Sequence, residues 1–129
     1  MVEAPPVRVL IVDDQAPFRS AARAVVGLTP GFEVVGEAES GERAVELVET
    51  LHPALVVMDI NMGGISGIEA TRRITAGHPG VTVVLLSTYA ADDLPSDAAT
   101  SGYAAYVNKE EFAPEVLRRL WEEGAGQRP

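Results

Sequence analysis

Ala54-Leu55-Val56-Val57-Met58-Asp59 is an unbroken apolar run that ends on a carboxylate. It is too short for a helix, and a strand with one face in water would alternate apolar and polar residues. Apolar residues on both faces instead predict a central strand of a parallel sheet covered by helices on each side. Asp59 then stands at the carboxyl end of that strand, where open α/β sheets build their sites.

Working outward, Val7-Arg8-Val9-Leu10-Ile11-Val12 reads as a second buried strand, and it too ends on acid, Asp13 and Asp14. A helix follows, with Pro17 in its first turn and Phe18, Ala21, Ala22, Val25 and Val26 on its inner side. Phe32 to Glu37 is the next strand. Ser40 is placed to cap a helix carrying Ala44, Leu47, Val48 and Leu51 at helical spacing, which His52-Pro53 stops. Beyond Asp59, a loop with Gly63 and Gly64 leads to a helix marked by Ile65, Ile68, Thr71 and Ile74. Val81 to Leu86 is a further strand delivering Ser87 and Thr88 to the same rim, and Gly102 to Val107 is the last, followed by Lys109. Between those two, Pro95, Ser96, Asp97, Thr100 and Ser101 predict only a short, weakly held fourth helix. A final helix with Pro114 in its first turn turns Phe112, Val116, Leu117 and Leu120 inward, while Trp121 is open to two readings, packing of this helix or an interface. Alternation of strand and helix with short connections predicts one doubly wound (βα)5 domain over residues 1–123, with 124–129 as a tail or the start of a linker.

At 129 residues and 47% hydrophobic composition the chain can bury a core without a staple, and the absence of cysteine excludes a disulfide framework and thiolate metal sites. A formal charge of -9 opposes binding of nucleic acid or anionic lipid by this segment. No apolar run reaches membrane-spanning length and the first residues lack the pattern of a signal peptide, so a cytoplasmic location is expected.

The strand ends bring together Asp13, Asp14 and Asp59, the hydroxyls of Ser87 and Thr88, and the ammonium of Lys109. An Asp-Asp pair alone would be read as turn chemistry or a helix cap. Three carboxylates on one rim, however, repel by several kcal/mol, about 4 kcal/mol for two charges at ~4 Å and an effective dielectric near 20. They need a cation or must take up protons. With only oxygen ligands on offer, Mg²⁺ or Mn²⁺ suits the site. A carboxylate nucleophile beside a metal, a hydroxyl donor and a lysine suits phosphoryl transfer to Asp59, giving an acyl phosphate.

These stretches resemble the receiver domain of bacterial two-component response regulators from Val7 to about Trp121. The motifs are Val9-Leu10-Ile11-Val12-Asp13-Asp14, then Asp59-Ile60-Asn61-Met62 with Gly67 eight positions after the aspartate, Leu86-Ser87, and Gly102 to Lys109. The resemblance implies a flavodoxin-like sheet in the order 2-1-3-4-5. It implies that Asp59 accepts a phosphoryl group from a sensor histidine kinase. It also implies Asp14, Asp59 and the Asn61 backbone carbonyl on the metal, with Asp13 assisting through water. Ser87 and Tyr106 would then switch the surface of the fourth helix, fifth strand and final helix, changing affinity for an output domain of its own or on a separate chain. Phosphorylation-dependent homodimerisation is a further implication. Gly31 to Ala38 further resembles receivers that precede a LuxR-type helix-turn-helix domain, which points to transcription as the output.

Three positions depart from the family's pattern. Gly63 stands where proline is usual, so the loop is expected to be freer. Thr88 is larger than the usual Ala or Gly and is expected to restrict access to the phosphoryl group. With Tyr89 beside it, slow-to-moderate self-dephosphorylation is expected. Competing readings are an aspartyl-phosphate phosphatase, a nucleotide- or flavin-binding module, and an interaction module that works without phosphorylation. The first would place Asp-x-Asp after its first strand, and the second would want a phosphate-cradling loop where Asp13-Asp14 stands. The third is opposed by the complete set of acid, hydroxyl and lysine. His52 and His78 are expected to be solvated, and Glu42, Glu46 and Glu49 to form a solvated helix face.

Overall fold

In the computed structural model the described residues are 5–88 and 95–125. They form β1 (Val7–Val12), α1 (Ala16–Gly27), β2 (Phe32–Ala38), α2 (Gly41–Leu51), β3 (Leu55–Asp59) and α3 (Gly67–Gly77). The chain continues through β4 (Thr82–Ser87), a 3-10 turn (Ser96–Thr100), β5 (Ala105–Asn108), a second 3-10 turn (Lys109–Glu111) and α4 (Pro114–Ala125). All strands are parallel, in the order β2-β1-β3-β4-β5, so their carboxyl ends share one rim.

Side-chain alternation along the central strands divides the core in two. Leu10, Val12, Val56, Met58, Val83 and Leu85 meet Ala44 and Val48 of α2 and Ile68, Ala70 and Ile74 of α3 on one face. Val9, Ile11, Leu55, Val57, Val84 and Leu86 meet Ala22 and Val26 of α1 and Leu117 and Leu120 of α4 on the other. Every residue of β3 is buried. Each buried Leu or Val contributes about 1.5–3 kcal/mol of transfer free energy, and both faces of β3 draw on it. That double coverage produces the unbroken apolar run.

Local signals set the helix ends. Ser40 and Ser66 cap α2 and α3 by accepting hydrogen bonds from the backbone N–H of Arg43 and Glu69, each at 3.1 Å. α2 stops at His52 in the left-handed region (φ 50°), ahead of Pro53. Arg8 Nη1 donates to the carbonyls of Leu51 and His52 at 2.6 and 2.9 Å, so a β1 side chain satisfies the otherwise orphaned end of α2.

Several expectations need correction. The fourth crossover is a single 3-10 turn among the described residues, with Ala98 its one buried residue. It is tied by Thr75 Oγ1 donating to Ser101 O at 2.7 Å and Arg72 Nη2 donating to Asp97 O at 3.2 Å. β5 begins at Ala105 rather than Gly102, because Gly102 takes φ +89° in a turn packed on Thr75. Ala21 faces solvent, since Phe18, Ala22, Val25 and Val26 already occupy the inward stripe of α1. Ile65 precedes α3 instead of lying in it. α4 runs to Ala125, with Gly124 buried where a Cβ would meet Thr82 and Ala104, so the helix takes in the first two residues of the expected tail. His78 is half-buried and bonded to Glu49 at 2.9 Å, joining α3 to α2. Trp121 packs inward, edge-on to Phe32 with ring centroids 6.4 Å apart. No helix among the described residues is long and apolar enough to cross a membrane.

Candidate functional site

Because β1, β3, β4 and β5 are parallel, the residues that end them meet at one edge of the sheet. Asp13 is wholly buried, Asp59 is 3% exposed and Asp14 is open to solvent. Each offers a carboxylate oxygen, and the three oxygens lie within 4.8 Å of one another. Lys109 reaches in from the 3-10 turn after β5, with Nζ 2.7 Å from Asp13 Oδ2 and 3.4 Å from Asp59 Oδ1. The near contact is an ion pair without hydrogen-bond alignment, which leaves Asp13 Oδ2 a buried acceptor lacking a donor. Asn108 secures the turn, accepting from Glu110 N at 2.9 Å and donating through Nδ2 to Thr88 O at 3.4 Å.

The backbone at each acid is fixed as well. Asp13 N donates to Ala38 O at 3.0 Å, and Asp13 Oδ1 accepts from Gln15 N at 2.8 Å. Arg19 Nη1 donates to Asp13 O at 2.7 Å while its Nε lies 3.3 Å from Glu37 Oε1. Asn61 N donates to Asp59 Oδ1 at 3.3 Å, so Asn61 and Lys109 both engage Oδ1.

The charge arithmetic is unfavourable without a further cation. Burial, with the Asp13 charge second, pushes the Asp59 carboxyl up to about 6 against the pull of Lys109 and the Asn61 N–H. A carboxyl raised in the folded state binds its proton more tightly there than in the unfolded chain. Stability therefore falls as pH rises from about 3.8 to about 6 and stays reduced above that. Allowing for solvent screening at the rim, the penalty is about 1–2 kcal/mol at pH 7. Asp59→Asn should be more stable than the parent chain by that amount in chelator at pH 7, with the gap closing toward pH 4. Urea unfolding at the two pH values checks it. The donor set, all oxygen, acidic and partly orphaned, fits a hard divalent cation.

A pocket of about 130 Å³ opens over the acids, lined by Gln15, Asp59, Asn61, Thr88 and Lys109. It is large enough for a phosphoryl group. Of the residues singled out in the sequence, Asp13, Asp14, Asp59 and Lys109 converge, and Asn61 and Thr88 line the pocket. Ser87 is buried at the end of β4, paired in register with Asn108. Tyr106 is half-buried against the core on the α2 and α3 side rather than lining the pocket. Tyr89 lies outside the described residues.

Sequence reading misses Gln15, Arg19 and Glu42. Gln15 is signalled only by following Asp14. Glu42, expected on a solvated face, accepts from Ile65 N at 3.2 Å and lies against Gly64, whose φ of +79° suits only glycine. The loop after Asp59 is thus tethered to α2 at Ile65. Glu42→Ala should speed hydrogen exchange of the Ile65 amide about fivefold, the equivalent of one hydrogen bond near 1 kcal/mol. Unchanged exchange would show that the tether carries no weight.

Comparison with known proteins agrees with this geometry. The family described as the response regulator receiver domain matches residues 9–121. The chain is 38% identical over 114 residues to the transcriptional regulatory protein DegU of Brevibacillus brevis, covering 88% of this chain and 48% of that protein. It is 35% identical over 122 residues to the response regulator UvrY of Escherichia coli K12, covering 95% and 56%. The chain thus spans about half the length of these relatives. Among solved structures it is similar to the receiver domain of the putative response regulator NarL from Mycobacterium tuberculosis, with TM-score 0.86, 25% identity and coverage of 96% and 100%. A LuxR-family response regulator from Aurantimonas sp. SI85-9A1 gives TM-score 0.85 and 29% identity, covering 95% of this chain and 88% of that one. With the sheet order, the acid rim and the lysine in place, the chain belongs to the response regulator receiver domain family.

Proposed function

We propose that this receiver accepts a phosphoryl group on Asp59 from the phosphohistidine of a sensor kinase and passes the signal to an output by a change of surface. The observation that carries the reading is Lys109 set 3.4 Å from Asp59 Oδ1 on a rim shared by two further carboxylates. Oδ1 is engaged by Lys109 and Asn61 N, so Oδ2 is the oxygen that attacks phosphorus. The new O–P bond forms as the P–N bond to the histidine breaks, and the imidazole nitrogen keeps the electron pair and takes a proton. Lys109 Nζ then donates to a phosphoryl oxygen, and the Ser87 hydroxyl turns to donate to another. Asp14, Asp59 and the Asn61 carbonyl would hold Mg²⁺ or Mn²⁺, which would supply neutralising charge at the transferring group. Both oxygens of Asp13 already face protein groups, Gln15 N and Lys109, which suits an indirect role at the metal.

The lightly held segment around the 3-10 turn, with β5 and α4, is the surface that responds, Tyr106 and Thr88 moving with Ser87. The domain extends through the end of α4 at Ala125, and the greater length of its relatives supports an output domain beyond a linker that follows that helix. Transcription is the output that the name of the Brevibacillus brevis relative suggests, and dimerisation on phosphorylation and a cytoplasmic location belong to the same proposal. Self-catalysed gain and loss of the phosphoryl group is the only chemistry assigned to the chain.

Borohydride reduction after treatment with acetyl phosphate tests the assignment. An aspartyl phosphate at position 59 is reduced to homoserine, and the peptide carrying it identifies the site. Homoserine at Asp13 or Asp14, or none at all, would refute the reading.

A further inference from the structure

The ammonium of Lys109 is held on three sides. Two are the carboxylates of Asp13 and Asp59, and the third is the face of Phe18, whose ring centroid lies 4.6 Å from Nζ. Phe18 belongs to the inward stripe of α1, where it packs against the core face built from Val9, Ile11, Val57 and Leu86. The ring is therefore anchored by the sheet while presenting its electron-rich face to the cation. Lys109 itself is 13% exposed. A lysine carries a point charge on a flexible four-carbon stem, and two carboxylates alone do not define where it stops. An aromatic face attracts such a cation without competing for its hydrogens, so it fixes position and leaves the N–H donors for oxygen.

Resting on the phosphoacceptor reading, we infer that Phe18 is a positioning residue for phosphoryl transfer: its ring seats Lys109 so that Nζ, paired with Asp13 Oδ2 at 2.7 Å, also stays within 3.4 Å of Asp59 Oδ1. Plain core filling would need only an apolar side chain of this size. Seating the cation needs the π face.

The two roles separate under substitution in the full chain. Phe18→Leu keeps an apolar side chain and removes the ring, Phe18→Tyr keeps the ring, and site-specific mono-, di- and trifluorophenylalanine at 18 keep size while draining the π face. In the parent chain the Lys109 ε-methylene protons should resonate upfield of their ordinary position through the ring current, and Phe18→Leu should return them. The rate of phosphorylation by acetyl phosphate at saturating Mg²⁺ should fall roughly three- to tenfold in Phe18→Leu and stepwise along the fluorinated series. Phe18→Tyr should stay within about twofold of the parent. Should Phe18→Leu fail to fold, the fluorinated chains carry the test alone. Lys109 signals at their ordinary position, or rates indifferent to fluorination, would overturn the inference while leaving the phosphoacceptor reading intact. A parent chain that takes up no phosphoryl group despite the ring-current shift would remove that reading and this role with it.

Discussion

Gly67→Ala is expected to destabilise the domain by about 3–5 kcal/mol, lowering the melting temperature by roughly 10–20 °C. A Cβ at Gly67 would lie 2.0 Å from the carbonyl oxygen of Asp59, 2.8 Å from its carbon and 2.9 Å from Ile60 Cα. All three are backbone atoms, so no rotamer change relieves the overlap. The close approach also serves a hydrogen bond from Gly67 N to Ile60 O at 2.9 Å, which sets the start of α3 directly on the chain leaving Asp59. Pushing these apart shifts the acid as well, so phosphorylation should suffer beyond the loss of folded protein. Gly63→Ala is the contrast: a Cβ there meets nothing within 4 Å and the backbone is not left-handed. That variant should be neutral or gain about 0.4–1 kcal/mol through a less flexible unfolded chain. Thermal unfolding of both proteins decides the matter, and equal melting temperatures would contradict the proposed packing.

Lys109→Met should be the second large effect. Among the described residues Lys109 is the cation paired with Asp13 and Asp59, and its removal leaves two buried carboxylates facing each other and Asp14. Breaking a buried pair by deleting one partner costs several kcal/mol, and with Asp14 open to solvent about 2–4 kcal/mol is expected here. The pH dependence has a definite sign. Without the lysine the folded chain holds the Asp59 proton still more tightly than the unfolded chain does, so the deficit is greatest at pH 7–8 and shrinks toward pH 4. Added Mg²⁺ should recover part of it, since a cation at the acids takes over the missing charge. Phosphorylation should slow by roughly 10²–10³-fold, the scale for losing a charge-stabilising donor. Denaturant titrations at pH 7.5 and 4.5, in chelator and in Mg²⁺, check the stability claims. A deficit below about 1 kcal/mol, or one independent of pH, would show that the three acids are not coupled as their spacing suggests.

Much of this layout is legible in the sequence because a parallel sheet imposes its own pattern on the strands that form it. Val9 to Val12 and Leu55 to Met58 are apolar on both faces, and the acids that close these runs must fall on the same rim once the strands are parallel. Ser40, Pro17 and His52-Pro53 act within a turn of their own position, so the ends of α1 and α2 that they mark are legible too. The contacts that finish the site join distant segments and leave no local pattern. Phe18 meets Lys109, Arg19 meets Glu37, and Glu42 meets Ile65 across gaps that no periodicity spans. Phe18 and Glu42 look like an ordinary core residue and an ordinary exposed acid in sequence, since their added roles exist only after the sheet has brought their partners in. The start of β5 is hidden for a related reason: Tyr103 and Ala104 suit a strand, but Gly102 turns back against Thr75 of α3, a contact outside the reach of strand propensity.

The most direct test of Asp59 as a phosphoacceptor is the intact mass of the chain after incubation with acetyl phosphate, in Mg²⁺ and in chelator, alongside Asp59→Asn. A single phosphoryl adduct on the parent chain that requires Mg²⁺ and is absent from Asp59→Asn is the expected result. No adduct under conditions that label a known receiver, or an adduct that survives Asp59→Asn or chelation, would contradict it and favour an interaction module that works without phosphorylation.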